Sequence, residues 1–304
     1  MKPLHLLVSL ITEDNDFQME QAASAKDAAA RLGAQVHIVY AGNDAVNQNQ
    51  QVFLAIQRTS DRPDAILVEP VGTGLAQAAQ AAVSAGIGWA TVNREVDYIS
   101  RLRRDAKAPI FSILTDHLEV GRIQAAQLKA LVKEGCVLYI EGPSGSGVAQ
   151  ARTSGIRSGL PSGVVLKMLK GDWTELSGYH AAKSWLSLST SRQLNIRAVM
   201  CQNDAMAIGA RRAFDEVRDP EARRQWMSLP FTGCDGVARS GQEWVRRGLL
   251  RATVVTPAIM GQGVEMMVNA IRAGKQTAEA TTIRVTSLPS LQALTGNAFA
   301  QSAG

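Results

Sequence analysis

Short apolar segments alternate with amphipathic segments along almost the whole chain. The apolar segments are rich in Val, Ile and Leu, which is typical of buried β-strands. These predicted strands cover residues 4–11, 35–40, 65–69, 87–92, 110–115, 136–141, 164–169, 196–201, 229–234 and 251–256, with a last one near 281–286. Helical spacing of apolar residues predicts helices over 17–32, 45–58, 75–85, 117–134, 148–159, 175–189, 204–218, 239–247 and 258–273.

This alternation predicts an α/β fold, because strands joined by helices form parallel sheets with right-handed crossovers and helices on both faces. Roughly ten strands are many for one open sheet, so we expect two doubly wound lobes. The predicted N-terminal lobe covers residues 1–115 and 258–285, and the C-terminal lobe covers 116–257 and 286–304. Repeated crossings between the lobes would form a hinge.

Composition and charge exclude several classes of protein. The net charge is +5, but the basic residues are scattered among acidic neighbours on predicted helices, so we expect no nucleic-acid partner. The longest apolar runs are too short to span a bilayer. The cysteines fall in or at the end of predicted strands without metal-ligand spacing, so we expect no metal site. We also expect no cofactor.

One glycine-rich segment, residues 142–147 (GPSGSG), follows a strand and precedes a helix. It lacks the third glycine of a dinucleotide fingerprint, the Lys-Ser/Thr pair of a phosphate loop and the spacing of a serine elbow. The four histidines have no partner at a spacing that would support catalysis. We therefore predict no catalytic residue and no enzymatic activity.

Polar and aromatic side chains follow the predicted strands, at the sheet edge where open parallel sheets bind ligands. Each alone would be a helix cap or a turn residue. Together they offer paired hydrogen bonds to adjacent hydroxyls and aromatic cover for a sugar ring. The predicted ligand-binding residues are Asn15, Phe17, Gln18, Glu69, Asn93, Arg94, Arg152, Trp173, Asn203, Asp235 and Thr256.

These residues resemble the type I periplasmic solute-binding proteins, the superfamily of ribose-binding proteins and the lac-repressor core. The most specific similarity is QNDAMAIGA at 202–210, followed by the G-x-D-G of 233–236. Asn15-Asp16-Phe17 corresponds to the element that follows the family's first strand, and Arg152 to the arginine of its second domain. The resemblance also places Arg94, Trp173, Asn203, Asp235 and Thr256 at pocket positions of the family.

Three positions depart from the family pattern. Asn93 replaces the usual carboxylate before the pocket arginine, Gln18 replaces a frequent aromatic, and Glu69 stands where asparagine is common. These differences move charge within the predicted pocket, so the sequence does not identify the sugar.

The resemblance implies reversible binding of a monosaccharide or related polyol in the interlobe cleft, with hinge closure near residues 115–117, 255–258 and 286–289. It leaves two roles open: delivery to an ABC-type membrane permease, or a stand-alone sensor that signals to a kinase or regulator. A sugar-modifying enzyme using Glu69 and Asp235 is a third, weaker hypothesis. The family implies a monomeric periplasmic protein. A cytoplasmic location stays open because the printed sequence begins without a signal peptide.

Overall fold

The computed structural model describes residues 3–104, 106–188 and 194–295. Up to the first crossing it contains β1 (His5–Leu10), α1 (Asp16–Arg31), β2 (Gln35–Tyr40), α2 (Ala45–Gln57), β3 (Ala65–Val68), α3 (Ala76–Ser84), β4 (Gly88–Asn93), α4 (Ile99–Arg103) and β5 (Ile110–Thr115). Position 189 of the predicted helix 175–189 and positions 296–304 of the predicted C-terminal lobe lie outside the described residues.

The remaining elements follow in the same alternating order. They are α5 (His117–Leu131), β6 (Gly135–Glu141), α6 (Gly147–Gly159), β7 (Val164–Lys170), α7 (Glu175–Leu186), β8 (Ile196–Cys201), α8 (Asp204–Asp215), α9 (Pro220–Met227), β9 (Phe231–Asp235), α10 (Gly241–Arg246), β10 (Ala252–Val255), α11 (Met260–Ala273), β11 (Ala280–Ile283) and β12 (Thr286–Leu288).

The chain forms two compact units. The first comprises the described parts of Met1–Thr115 and Ala258–Ile283, and the second those of Asp116–Pro257 and Arg284–Gly304. The last crossing therefore lies after Ile283, two residues earlier than the predicted lobe boundary at 285. The physical reason is Val285, which packs against Val120, Cys234 and Val254 of the second unit.

The sheet of the first unit is parallel throughout, with the strand order β11-β5-β4-β3-β1-β2. One face packs against α1 and α11 through a core that includes Val8, Ala25 and Val264. The other face packs against α2, α3 and α4 through Val52, Ala79 and other apolar residues. Because both faces are covered, β3 and β4 are buried along their whole length, which explains the continuous apolar sequence of β3.

The sheet of the second unit has the order β12-β10-β9-β8-β6-β7, in which only β12 pairs antiparallel among the described strands. Its helix pair α5 and α6 packs with direct backbone contact. A Cβ on Gly121 would lie 2.1 Å from the carbonyl oxygen of Arg152, and one on Gly155 would lie 2.1 Å from that of Leu118. This close packing fixes α6, and with it Arg152, against its neighbour.

Two helices differ from the sequence prediction. The sequence predicts no helix between residues 93 and 109, where the structure contains the short helix α4, whose Ile99 and Leu102 are buried. The segment after residue 218 contains α9, a short helix whose Trp226 and Met227 are only partly buried against the core. Its start is nevertheless marked by local chemistry: the Asp219 carboxylate accepts from the Glu221 N–H, and Pro220 occupies the first turn.

Candidate functional site

The predicted site residues of the first unit gather around one buried carboxylate. Glu69 directly follows β3 and is only 1% exposed. Its Oε2 accepts a hydrogen bond from Gln18 Nε2 at 3.0 Å, and its Oε1 accepts one from Asn93 Nδ2 at 2.7 Å. Three side chains from the ends of β3 and β4 and from the start of α1 are thus joined. Both carboxylate oxygens have an amide donor, which compensates for burial of the charge.

The start of α1 is held by two further hydrogen bonds. Asn15 caps the helix, because its Oδ1 accepts from the Gln18 N–H at 2.9 Å. The side-chain oxygen of Gln18 accepts from the Ile11 N–H at 3.0 Å, just beyond β1. Phe17 is buried on the same turn. Asn15, Phe17 and Gln18 therefore occupy the carboxyl edge of β1, adjacent in the sheet to β3.

The loop after β3 is supported by a residue that the sequence analysis did not select. Gln48 of α2 donates from Nε2 to the Glu69 carbonyl at 2.9 Å and accepts from the Val71 N–H at 2.8 Å. The next strand end contributes Arg94, whose Nη1 donates to the Val71 carbonyl at 3.2 Å. Gln48 and Arg94 therefore both bind the backbone of the loop that carries Glu69.

In the second unit, the predicted residues gather around a buried guanidinium. Arg152 of α6 is 4% exposed, and its Nη1 donates to the carbonyl of Gln202. Its Nη2 lies 3.8 Å from Asp235 Oδ1, and its Cζ lies 5.5 Å from the centre of the Trp173 ring. Among the described residues its Nε–H has no hydrogen-bond partner, so the guanidinium keeps a donor for another molecule.

Trp173 is held at the end of β7 by two neighbours. Its carbonyl accepts from Asn203 Nδ2 at 2.8 Å, while Asn203 Oδ1 caps α8 by accepting from the Met206 N–H at 2.9 Å. The indole lies close to the backbone of Gly142. A Cβ at that position would be 2.3 Å from the Trp173 ring, so only glycine fits there. Asn203 is therefore the N-cap of α8.

Asp235 and Thr256 lie at the ends of the paired strands β9 and β10. The Thr256 N–H donates to the Asp235 carbonyl at 3.0 Å, which joins the two strand ends. The following residue, Gly236, donates its N–H to Asp204 Oδ2 at 2.7 Å. Burial, and then the charge of Asp235, raise the pKa of Asp204 well above its ordinary value, while Arg152 opposes this shift.

Three of the predicted site residues have left-handed backbone conformation. Asn93, Trp173 and Asp235 have φ values of 68°, 76° and 106°. Such angles are uncommon outside glycine, and they cost free energy that the surrounding contacts must offset. Asn93 and Asp235 are the last residues of β4 and β9, and Trp173 follows β7 after a short segment.

Two buried residues beside Asn203 were missed as site residues. Gln202 and Asp204 are 0% and 3% exposed, and both bind to neighbouring strand ends. Their sequence signal was the row of polar residues 202–204 directly after a buried strand. That signal does not show which of three consecutive side chains faces a ligand and which faces the protein.

Other reactive side chains do not join these groups. Burial raises the pKa of the Cys201 and Cys234 thiols, which favours inert core residues. Across the ranges 3–104, 106–188 and 194–295, no group of three or more His, Cys, Asp and Glu side chains could hold a metal ion. Within those ranges no helix is long and apolar enough to cross a membrane.

The fold and the two strand-edge groups define a binding protein of the type I periplasmic class. Residues 6–276 match the family model described as the periplasmic binding protein domain, and the chain belongs to that family.

Among curated proteins, the chain is similar to the D-allose-binding periplasmic protein of Escherichia coli K12. The two are 26% identical over 277 residues, which cover 88% of this chain and 85% of the relative. A D-apiose import binding protein of Actinobacillus succinogenes is 25% identical, over 83% of this chain and 77% of the relative.

Solved structures show the same fold. A periplasmic solute-binding protein of an ABC transporter from Actinobacillus succinogenes, solved with bound D-allose, aligns with a TM-score of 0.79 and 18% identity over 94% of this chain and 97% of that chain. The Caulobacter myo-inositol binding protein bound to myo-inositol aligns with a TM-score of 0.77 and 20% identity, over 96% and 95% of the two chains.

Proposed function

We propose that this protein reversibly binds a monosaccharide or related polyol and delivers it to an ABC-type permease. The observation that carries the proposal is the grouping of amide, carboxylate, guanidinium and indole side chains at the carboxyl edges of both sheets. Charged and amide groups can each bind two adjacent hydroxyls, and the indole can cover the C–H face of a sugar. The relatives named for D-allose and D-apiose support this ligand class.

The proposal assigns ligand contact to residues of both units. In the first unit these are Asn15, Phe17, Gln18, Glu69, Asn93 and Arg94. In the second they are Arg152, Trp173, Asn203, Asp235 and Thr256. Ligand contact from both units would favour a closed state, because a ligand shifts a conformational equilibrium by its differential affinity for the two states. A decrease in the radius of gyration on ligand addition, measured by X-ray scattering, tests this part.

A thermal-shift screen tests the ligand class. The panel is D-allose, D-apiose, L-arabinose, D-galactose, D-fructose and myo-inositol, with sucrose as a control that exceeds the proposed size. Binding to the folded state raises stability by about 2.7 kcal/mol at a ligand concentration 100 times Kd. We expect at least one of the six to raise Tm and sucrose not to do so. No response to any of the six contradicts the proposed ligand class.

The proposal includes no chemical step. The family consists of binding proteins, and both oxygens of Glu69 already accept hydrogen bonds from amides. The sugar that binds best should therefore be recovered unchanged after long incubation, as judged by NMR. Appearance of a new sugar or of free hydrolysis products contradicts the proposal.

The proposed partner is a membrane permease, and the proposed location is the periplasm. Relatives named as periplasmic and import binding proteins favour transport over sensing. One solved structure with the same fold is a fructose-binding periplasmic domain of a hybrid two-component system. Stimulation of a reconstituted permease ATPase by the sugar-loaded protein tests the transport role.

We also propose that the protein is a monomer, which light scattering tests.

A further inference from the structure

Gln202 is joined by its side chain to two neighbouring segments of the second unit. Its Oε1 accepts from the Gly142 N–H at 2.8 Å, and its Nε2 donates to the Ala149 carbonyl at 2.8 Å. Gly142 is the backbone surface on which the Trp173 ring rests. Ala149 lies in the first turn of α6, one turn before Arg152. The amide of Gln202 thus links the supports of both side chains.

The polar surroundings of Gln202 fix the orientation of its amide. Nε2 also lies within hydrogen-bond distance of Tyr139 Oη and, at 3.0 Å, of Thr153 Oγ1, so its two hydrogens are shared among three acceptors. The three acceptors lie at the nitrogen end of the Gln202 amide, and the Gly142 N–H, which donates to it, lies at the oxygen end. A buried amide with this many partners has a single favourable orientation.

Asp204, the residue after Asn203, likewise binds two neighbouring segments through its side chain. Its Oδ2 accepts from the Gly236 N–H at 2.7 Å, and its Oδ1 accepts from Thr253 Oγ1 at 2.7 Å. The first bond holds the turn directly after Asp235, and the second holds β10. Asp235 has a φ of 106° at this turn, a conformation that needs such external support.

We propose that Gln202 and Asp204 are positioning residues. Gln202 fixes Gly142, which the Trp173 ring contacts, and the first turn of α6, which carries Arg152. Asp204 fixes the turn directly after Asp235. In the row Gln202-Asn203-Asp204 the central residue also holds the Trp173 carbonyl. Three consecutive side chains at the end of β8 therefore anchor the loops on both of its sides. The effect on ligand affinity rests on the proposed function, whereas the effect on the loops does not.

The test compares amide hydrogen exchange with ligand affinity. In the unaltered protein without ligand, the Gly142 and Gly236 amides should exchange at least ten times more slowly than that of Gly145, which is exposed. Gln202→Met should release the Gly142 amide, and Asp204→Ala should release the Gly236 amide, each by at least tenfold. Asp204→Asn keeps an acceptor oxygen and should restore protection at Gly236.

Two control variants remove a partner of each residue without removing the bond to the loop. Tyr139→Phe removes one acceptor of the Gln202 amide, and Thr253→Val removes the second donor to Asp204. Both should keep Gly142 and Gly236 protected. They should also keep the affinity for D-allose, or for whichever sugar of the panel binds most tightly, within about threefold. Gln202→Met and Asp204→Ala should weaken that affinity at least tenfold.

The outcomes of hydrogen exchange and of ligand binding test the positioning role and the proposed function separately. If Gly142 and Gly236 exchange as fast as Gly145 in the unaltered protein, or stay protected in Gln202→Met and Asp204→Ala, the positioning role is wrong. The first comparison needs no variant, so it decides even if Asp204→Ala does not fold. If the loops loosen and affinity is unchanged, positioning does not govern binding and the inference fails. If the unaltered protein binds no sugar of the panel, the proposed function fails, and exchange still decides the positioning role.

Discussion

In the first unit the buried charge at the sheet edge is the Glu69 carboxylate, whereas in the second it is the Arg152 guanidinium. Both oxygens of Glu69 are engaged by Gln18 and Asn93. Arg152 instead keeps an Nε–H without a partner among the described residues, and its distance to Asp235 is long at 3.8 Å. The comparison indicates that Glu69 acts mainly by orienting two amides, while Arg152 has capacity left for a ligand.

The largest effect should therefore come from Arg152→Ala. This change removes a cation that lowers the pKa of Asp204, and it also removes the proposed hydrogen-bond donor to the ligand. Loss of a charged hydrogen bond of about 2–3 kcal/mol predicts a loss of sugar affinity of about 100-fold. Isothermal titration calorimetry measures it. Arg157→Ala, at an exposed position of the same helix, is the matched control and should bind normally.

A near-normal Kd in Arg152→Ala would contradict this prediction, because the guanidinium would then bind only groups of the protein itself.

The second prediction compares two buried acids: Glu69, which directly follows β3, and Glu141, the last residue of β6. Glu69→Gln would place an amide N–H₂ against one of two amide donors, which leaves buried donors unpaired. We expect a loss of about 2 kcal/mol in the free energy of unfolding. Glu141 instead accepts from the Thr153 hydroxyl and from Lys170, an ammonium that is largely exposed. Because a hydroxyl can reverse its role, Glu141→Gln should cost less than about 1 kcal/mol.

Urea denaturation at neutral pH measures both losses. Equal losses in the two variants would show that the amide partners of Glu69 do not distinguish the units.

A smaller, pH-dependent effect is expected at Asp204. Burial, and then Asp235, raise the pKa of this carboxyl above its ordinary 3.8 in the folded protein. The folded state therefore retains the proton to higher pH than the unfolded chain. The resulting stability is present below 3.8 and is lost as pH rises toward the folded pKa. Asp204→Asn does not titrate, so its stability relative to the unaltered protein should increase over this interval.

Unfolding free energies of both proteins, measured from acid to neutral pH, give the difference curve. A flat difference curve would contradict the assigned direction of the pKa shift.

The smallest expected effect is a difference in stability between variants of the two capping asparagines, Asn15 and Asn203. Asn15→Ala removes one cap bond and should cost about 1 kcal/mol of stability. Asn203→Ala removes a cap bond and also the donor to the Trp173 carbonyl, which adds about 1 kcal/mol. Urea denaturation of both variants measures the difference. Asn15→Asp keeps the cap oxygen and should be nearly neutral, and a large loss in it would point to a role beyond capping.

The repeated strands and the edge at which their polar residues lie could be predicted from the sequence. Buried parallel strands are apolar along their whole length, and the carboxyl edge follows from the parallel order. Helix α9 was missed because it is short and its few apolar side chains, such as Trp226 and Met227, are only partly buried, too few to define a helical period. The roles of Gln202 and Asp204 were missed because the direction of a side chain after a strand depends on neighbouring loops far away in sequence, such as Gly142 and Gly236.

The left-handed backbone at Asn93, Trp173 and Asp235 also limits how the ligand preference of this protein can evolve. Branched residues such as Val, Ile and Thr are disfavoured at these φ values, while Gly, Asn and Asp are tolerated. Few single substitutions at the three positions would therefore yield a well-folded descendant. We expect changes of specificity to accumulate first at Gln18 and Arg94, which lack this restriction among the described residues.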